Sequence, residues 1–161
     1  MTAWVCPRCR RQFGRVNQSH ECAPAMTLEE YFSTGHPRER AVFEAVMAHL
    51  RTVGPVHVEP VSVGIFLKRE RGFAELRPMR RWVAVSFSLG RPVVHPTITR
   101  KVVPYGGRYW HVANVAGPED LDEVLLGYLT EAYLASPAGD DPGPPPTGGG
   151  PRRTRRRAGS G

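Results

Sequence analysis

Three cysteines and a histidine crowd one short stretch near the N-terminus, Trp4 to Cys22, WVCPRCRRQFGRVNQSHEC. Cys6 and Cys9 form a C-x2-C pair, ten residues follow, and His20 and Cys22 form H-x-C. A tight C-x2-C turn brings two thiolates inward, and alternate residues of an extended segment share a side. His20 and Cys22 can therefore close the set from the other direction. Thiolate and imidazole groups with no carboxylate among them predict a closed, tetrahedral, structural Zn2+ site that leaves no position for water. Two other readings stay open here. Cys6-Pro7-Arg8-Cys9 has the spacing of a thioredoxin-like redox pair, although the strand-then-helix context of that chemistry is missing, and three ordinary reduced thiols would look the same. The odd cysteine count and the lack of an apolar leader-like stretch argue against a secreted disulfide framework. They predict a reducing, cytoplasmic setting.

Around the four candidate ligands sit Arg8, Arg10, Arg11 and Arg15. A second basic cluster, Arg152, Arg153, Arg155, Arg156 and Arg157, lies near the other end. The chain has 161 residues and a net charge of +7, carried by 20 arginines and only two lysines. Arginine suits bidentate contact with phosphate, and a flexible basic tail adds phosphate affinity without sequence preference. The expectation is weak, sequence-tolerant nucleic-acid binding through the basic metal loop and the tail. A protein–protein adaptor using an exposed sheet face competes with it, as does a small-anion-binding protein. Lys68, Arg77, Arg81 and Arg108 come from several strands and could join Tyr109 and His111 in one anion-binding patch. His111 is the best lone candidate for acid–base work. No G-x-S-x-G, phosphate-binding or dinucleotide-binding glycine pattern occurs, so no catalytic residue is assigned and a binding module is favoured over an enzyme. No apolar run approaches the roughly 20 residues that span a bilayer, and no membrane partner is expected.

The elements that must position these groups follow from periodicity and breakers. Residues 1–24 form the zinc module, too small to bury a core of its own, so metal ligation must supply much of its folding free energy. Its large apolar groups, Trp4 and Phe13, should pack around the site or against the next domain. Thr27-Leu28-Glu29-Glu30 is a capping box that opens a short helix ending near Gly35. Pro37 starts a longer helix whose buried stripe is Val42, Phe43, Val46, Met47 and Leu50, with Gly54-Pro55 as the stop and His49 off the stripe in solvent. From Val56 the period becomes two. Strands are expected over Val61–Leu67, Phe73–Arg77, Arg81–Leu89, Ile98–Val103 and Arg108–Val115, the last two joined by a turn over Pro104–Gly107. The gaps are too short for crossover helices, so the sheet of about five strands should be mainly antiparallel. Pro118 opens a final helix with Leu121, Leu125, Tyr128, Leu129 and Ala132 inward. The fold class is α+β over residues 25–135, with helices on one face of the sheet. Residues 136–161 lack apolar groups to bury and are expected to be disordered.

These landmarks resemble those of a family described as a domain of unknown function, family 5655. The shared pattern starts at Trp4, Cys6-Pro7-x-Cys9, Arg11, Phe13, Asn17-Gln18 and His20-x-Cys22. It continues through Thr27-Leu28-Glu29-Glu30-Tyr31-Phe32, Gly54-Pro55-Val56, Phe73-Ala74, Val83–Leu89 and Arg108-Tyr109-x-His111. It closes with Asp120-Leu121-Asp122 and Glu131-Ala132-Tyr133, so the similarity spans about residues 4–134. It departs at Arg10, where a knuckle would carry glycine after its second cysteine. The resemblance implies the α+β fold and the zinc knuckle, and it leaves the function open.

Overall fold

A computed structural model describes residues 4–20, 22, 25–69 and 71–135; the tail, including its arginine cluster, lies outside the described residues. Strands β1 (Trp4–Val5) and β2 (Gln12–Phe13) make a small antiparallel hairpin at the N-terminus. Helix α1 (Leu28–Phe32) starts where the capping box predicts, with the Thr27 hydroxyl accepting from the Glu30 N–H and the Glu30 carboxylate accepting from the Thr27 N–H. Helix α2 (Pro37–Val53) has Pro37 in its first turn, and His36 and Glu39 exchange the same reciprocal caps at its start. The stripe Val42, Phe43, Val46, Met47 and Leu50 is buried. At its end Gly54 abuts the hydroxyl of Tyr133, which donates to the Pro55 carbonyl at 2.9 Å.

The main sheet has six strands where five were expected. The run from Val61 to Leu67 is not one strand: β3 (His57–Val61) and β4 (Gly64–Lys68) pair across a two-residue turn. Apolar alternation continues through that turn, which is why it looked unbroken. Strands β5 (Gly72–Pro78), β6 (Val83–Leu89), β7 (Val103–Tyr105) and β8 (Arg108–Val115) complete the sheet in the order β3-β4-β5-β6-β8-β7, with every pairing antiparallel. The expected strand over Ile98–Val103 is displaced. Ile98 instead closes a turn on the His95 carbonyl, and β7 begins at Val103. Gly106 and Gly107 then adopt φ of 59° and 75°, left-handed at both central positions, which is the two-residue hairpin turn that only glycine-like residues enter without strain. The last helix also starts later than Pro118. Residues Pro118–Asp120 form a separate 3-10 turn, and α3 (Glu123–Leu134) is capped by Asp122, whose carboxylate accepts from the Leu125 N–H at 2.8 Å.

Register sorts the side chains. Ile65, Leu67, Ala74, Leu76, Val85, Phe87, His111 and Ala113 share the face that carries α2 and α3, and they form one core with the helix stripes. The other face carries the cross-strand row Glu59, Phe66, Glu75, Ser86 and Val112. His49, expected in solvent, is half-buried and bonds the Thr130 hydroxyl of α3 at 2.7 Å, because α3 packs alongside α2. Among the described residues, no helix is long and apolar enough to cross a membrane.

Phe87 is fully buried at the centre of the sheet and stacks on His111. Phe87→Ala should lower the unfolding free energy by about 3–5 kcal/mol, read from urea or guanidinium titration.

Candidate metal centre

The loop between β1 and β2 turns on backbone bonds: the Cys6 N–H donates to the Arg11 carbonyl at 2.9 Å, and the Arg10 N–H to the Cys6 carbonyl at 2.8 Å. Arg10, just after the second cysteine, has φ of 63°. The position is the left-handed one a knuckle gives to glycine, and here a larger residue occupies it. Cys6 and Cys9 are buried, His20 is half-buried and Cys22 is exposed. Their ligand atoms all lie within 4.8 Å of one another, so the four residues could hold a metal ion. Cys6 Sγ is 3.8 Å from Cys22 Sγ, and His20 Nε2 is 3.3 Å from Cys9 Sγ and 3.2 Å from Cys22 Sγ.

Neighbouring groups prepare the ligands. His20 Nδ1 lies 2.6 Å from the Gln18 carbonyl and must donate to it, which leaves the Nε2 lone pair aimed at the sulfurs. The Phe13 ring lies 4.0 Å from the imidazole, and Trp4 meets it edge-on, so two aromatic residues wall the site. The Cys6 thiol is held down at about 6, chiefly by the backbone N–H of Cys9 and further by that of Arg8, against the opposing effect of burial. Burial and the neighbouring Cys6 sulfur push the Cys22 thiol up instead, so of these two thiols Cys6 is the one poised to be thiolate near neutral pH.

The hairpin is docked on the sheet face opposite the helices. Glu59, on edge strand β3, is buried and bonds Arg11 Nε at 3.1 Å and Lys68 Nζ at 2.9 Å, while His57 Nε2 lies 3.0 Å from its second oxygen. Gln12 of β2 completes the joint: its N–H donates to Glu59 at 3.3 Å, and its carbonyl accepts from Lys68 at 2.7 Å. Arg11 lies over the Phe66 ring at 4.6 Å, and Lys68 over Phe13 at 4.2 Å. Burial alone would push the Glu59 carboxyl up; the Lys68 ammonium and then the Arg11 guanidinium outweigh it and hold the group below the ordinary carboxylate range.

Two expectations fall with this joint. Arg11 does not belong to the solvent-facing cluster with Arg8, Arg10 and Arg15, which are exposed; it is buried in an ion pair. Nor do the six strand residues make one anion patch. His111 is buried on the helix face, its Nε2 accepting the Val93 N–H at 3.0 Å, and burial holds it below the usual imidazole range. Tyr109 shares that face by register, two residues earlier. Lys68 and Arg77 lie on the opposite face, paired with Glu59 and Glu75. Arg108 is spent on Ser88 and on the Ala135 carbonyl at the end of α3, and Arg81 is exposed beyond the sheet in the β5–β6 turn. Strand parity separates groups that sequence distance brought together. The Glu59 joint is what the sequence reading missed, and its only local sign was a charged Glu59 beside His57 in a short strand that otherwise holds Val58, Pro60 and Val61.

Glu59→Gln removes the buried carboxylate that Arg11 and Lys68 share and should destabilise the protein by about 3–5 kcal/mol at neutral pH. The carboxyl is lowered in the folded state, so its contribution is present above its unfolded value and lost as pH falls through the folded one. The wild type should therefore lose stability on acidification below about pH 4.5, and urea midpoints of the variant should flatten in that window.

Comparison with curated proteins and with solved structures finds no match. A family model described as a domain of unknown function (DUF5655) matches residues 28–136. The match begins after the four-residue Cys/His loop, so the candidate metal centre lies N-terminal to the matched region, and the similarity expected back to residue 4 is not part of it. Since α1, α2, the six-stranded sheet and α3 all fall within the matched residues, which make up more than half of the chain, the protein belongs to the DUF5655 family.

Proposed function

We propose that this is a zinc-stabilised nucleic-acid-binding module, in which the metal loop and the arginine-rich tail contact phosphates. The donor set supports zinc. With Zn–S near 2.3 Å, a tetrahedral site has an S···S edge of about 3.8 Å, and three cysteines with one imidazole are a common structural set. The separation of Cys6 and Cys22 sulfurs equals that edge at 3.8 Å. Bound zinc would supply structural closure of the loop, its charge offsetting two of the three thiolate charges. A reducing, cytoplasmic compartment, which keeps three thiols available, accords with this reading.

The observation that carries the binding proposal is the split among the loop arginines. Arg11 is consumed by Glu59, but Arg8, Arg10 and Arg15 are exposed and make no ion pair with a described residue. Guanidinium groups with no ion pair to a described residue are available for bidentate phosphate contact, and Arg152, Arg153, Arg155, Arg156 and Arg157 add positive charge further along the sequence.

Elemental analysis of protein purified without chelator should find about one zinc per chain, and Cys9→Ser should abolish it; metal-free wild-type protein would refute the zinc assignment. Phosphate binding should weaken steeply with salt, each neutralised phosphate of a duplex contributing about −0.9 to the slope of log K against log salt. Replacing Arg8, Arg10 and Arg15 with alanine should reduce that slope by up to about three, and deleting residues 151–161 by up to about five. No binding of intact protein at low salt to duplex or single strands would remove the nucleic-acid reading.

A further inference from the structure

We infer that the metal loop prefers single-stranded nucleic acid to duplex, with unstacked bases lying on the outer strand of its hairpin. The inference deepens the phosphate-binding proposal and rests on it. Strand β2 faces the domain: both backbone groups of Gln12 are engaged by Glu59 and Lys68. Strand β1 is thus the outer strand of the hairpin, and it consists of Trp4 and Val5. Val5 is 47% exposed and Val16, in the following loop, 66% exposed, while Trp4 is half-exposed beside the site. A small module that exposes an aromatic edge and flanking apolar groups among guanidinium groups with no described ion pair combines the two contacts a single strand needs: cations for the backbone and, at Trp4, an aromatic surface for a base, with Val5 and Val16 as apolar surface beside it. A duplex makes no use of the second, because its base faces are hidden in the stack and only edges and phosphates are presented.

Docking of the hairpin on the sheet favours the same ligand. The hairpin is anchored through Glu59 and through Phe13, buried under Lys68, so Trp4 is held in place before any strand arrives. Trp4 also packs on Phe13 and His20, which leaves only part of its ring free and limits the platform to one base at that position. Consecutive residues of a strand point to opposite sides, so a polynucleotide touching both Trp4 and Val5 must cross the outer edge of β1 rather than lie along one face.

The test uses the full zinc-loaded chain and fluorescence anisotropy with a labelled 12-nucleotide strand and its duplex, at one low salt concentration. The single strand should bind about 10-fold tighter than the duplex, the effect expected for one stacked base. In Val5→Thr with Val16→Ser, two exposed changes, the preference should shrink while duplex affinity stays unchanged. Trp4→Leu, checked for retained zinc, should bring the ratio close to one. Equal binding of strand and duplex by the wild type, or a preference that survives all three substitutions, would overturn the inference. In either case, a salt slope still reduced by replacing Arg8, Arg10 and Arg15 would keep the phosphate-binding proposal standing. Absence of binding to both probes would overturn the two together.

Discussion

A carboxylate taken out of water costs several kcal/mol unless opposite charges and hydrogen bonds replace the solvent it loses. Glu59 is buried at the edge of the sheet, and its replacements come from two places far apart in the chain: Arg11 and the Gln12 N–H from the N-terminal hairpin, Lys68 from the neighbouring strand. Glu59 is the common partner, so its removal takes a counter-charge from Arg11 and Lys68 together. The joint therefore fixes where the hairpin sits, and with it the metal ligands that flank Arg11 and Gln12. Metal closure of the loop, as proposed, and docking would support each other. The hairpin presents Arg11, Gln12 and Phe13 in one arrangement, and the sheet binds that arrangement.

The sheet can serve as a platform because its other face is conventionally stabilised. Helices α2 and α3 cover Leu76, Val85, Phe87 and Ala113, all nearly or fully buried, and the sequence patterns of both helices match that role. His111 belongs to this side. Its ring stacks on Phe87 at 5.1 Å and secures the irregular stretch before β7 through Val93, while His95 of the same stretch bonds Asp122, the cap of α3, at 2.9 Å. Two histidines thus join sheet, irregular segment and helix in a structural role.

The arginines divide by consequence rather than by position. Arg11 stabilises the joint, Arg108 closes the end of α3 against β6, and Arg91 pairs with Glu131 at the surface. Arg8, Arg10 and Arg15 are exposed without such duties among the described residues. Paired guanidinium groups are poor candidates for ligand contact because breaking the pair costs what the ligand would return. Exposed ones without a partner carry no such cost.

What the sequence determined by itself was whatever depends on near neighbours. The Thr27–Glu30 cap, the Pro37 start, the α2 stripe and the alternation through Val83–Leu89 are local and legible. The C-x2-C and H-x-C spacing identified four residues that the fold brings within 4.8 Å. Other features needed the tertiary structure. Apolar alternation reads the same through Val61–Leu67 whether the chain runs straight or turns back at Ser62-Val63, because the signal reports faces and not direction. In sequence Arg10 and Arg11 are equivalent members of one basic run; only the docked sheet makes one of them buried. Lys68 and His111 both sit in strands, but which face each occupies depends on register across several pairings. Those pairings join residues far apart in the chain, and no local pattern encodes them.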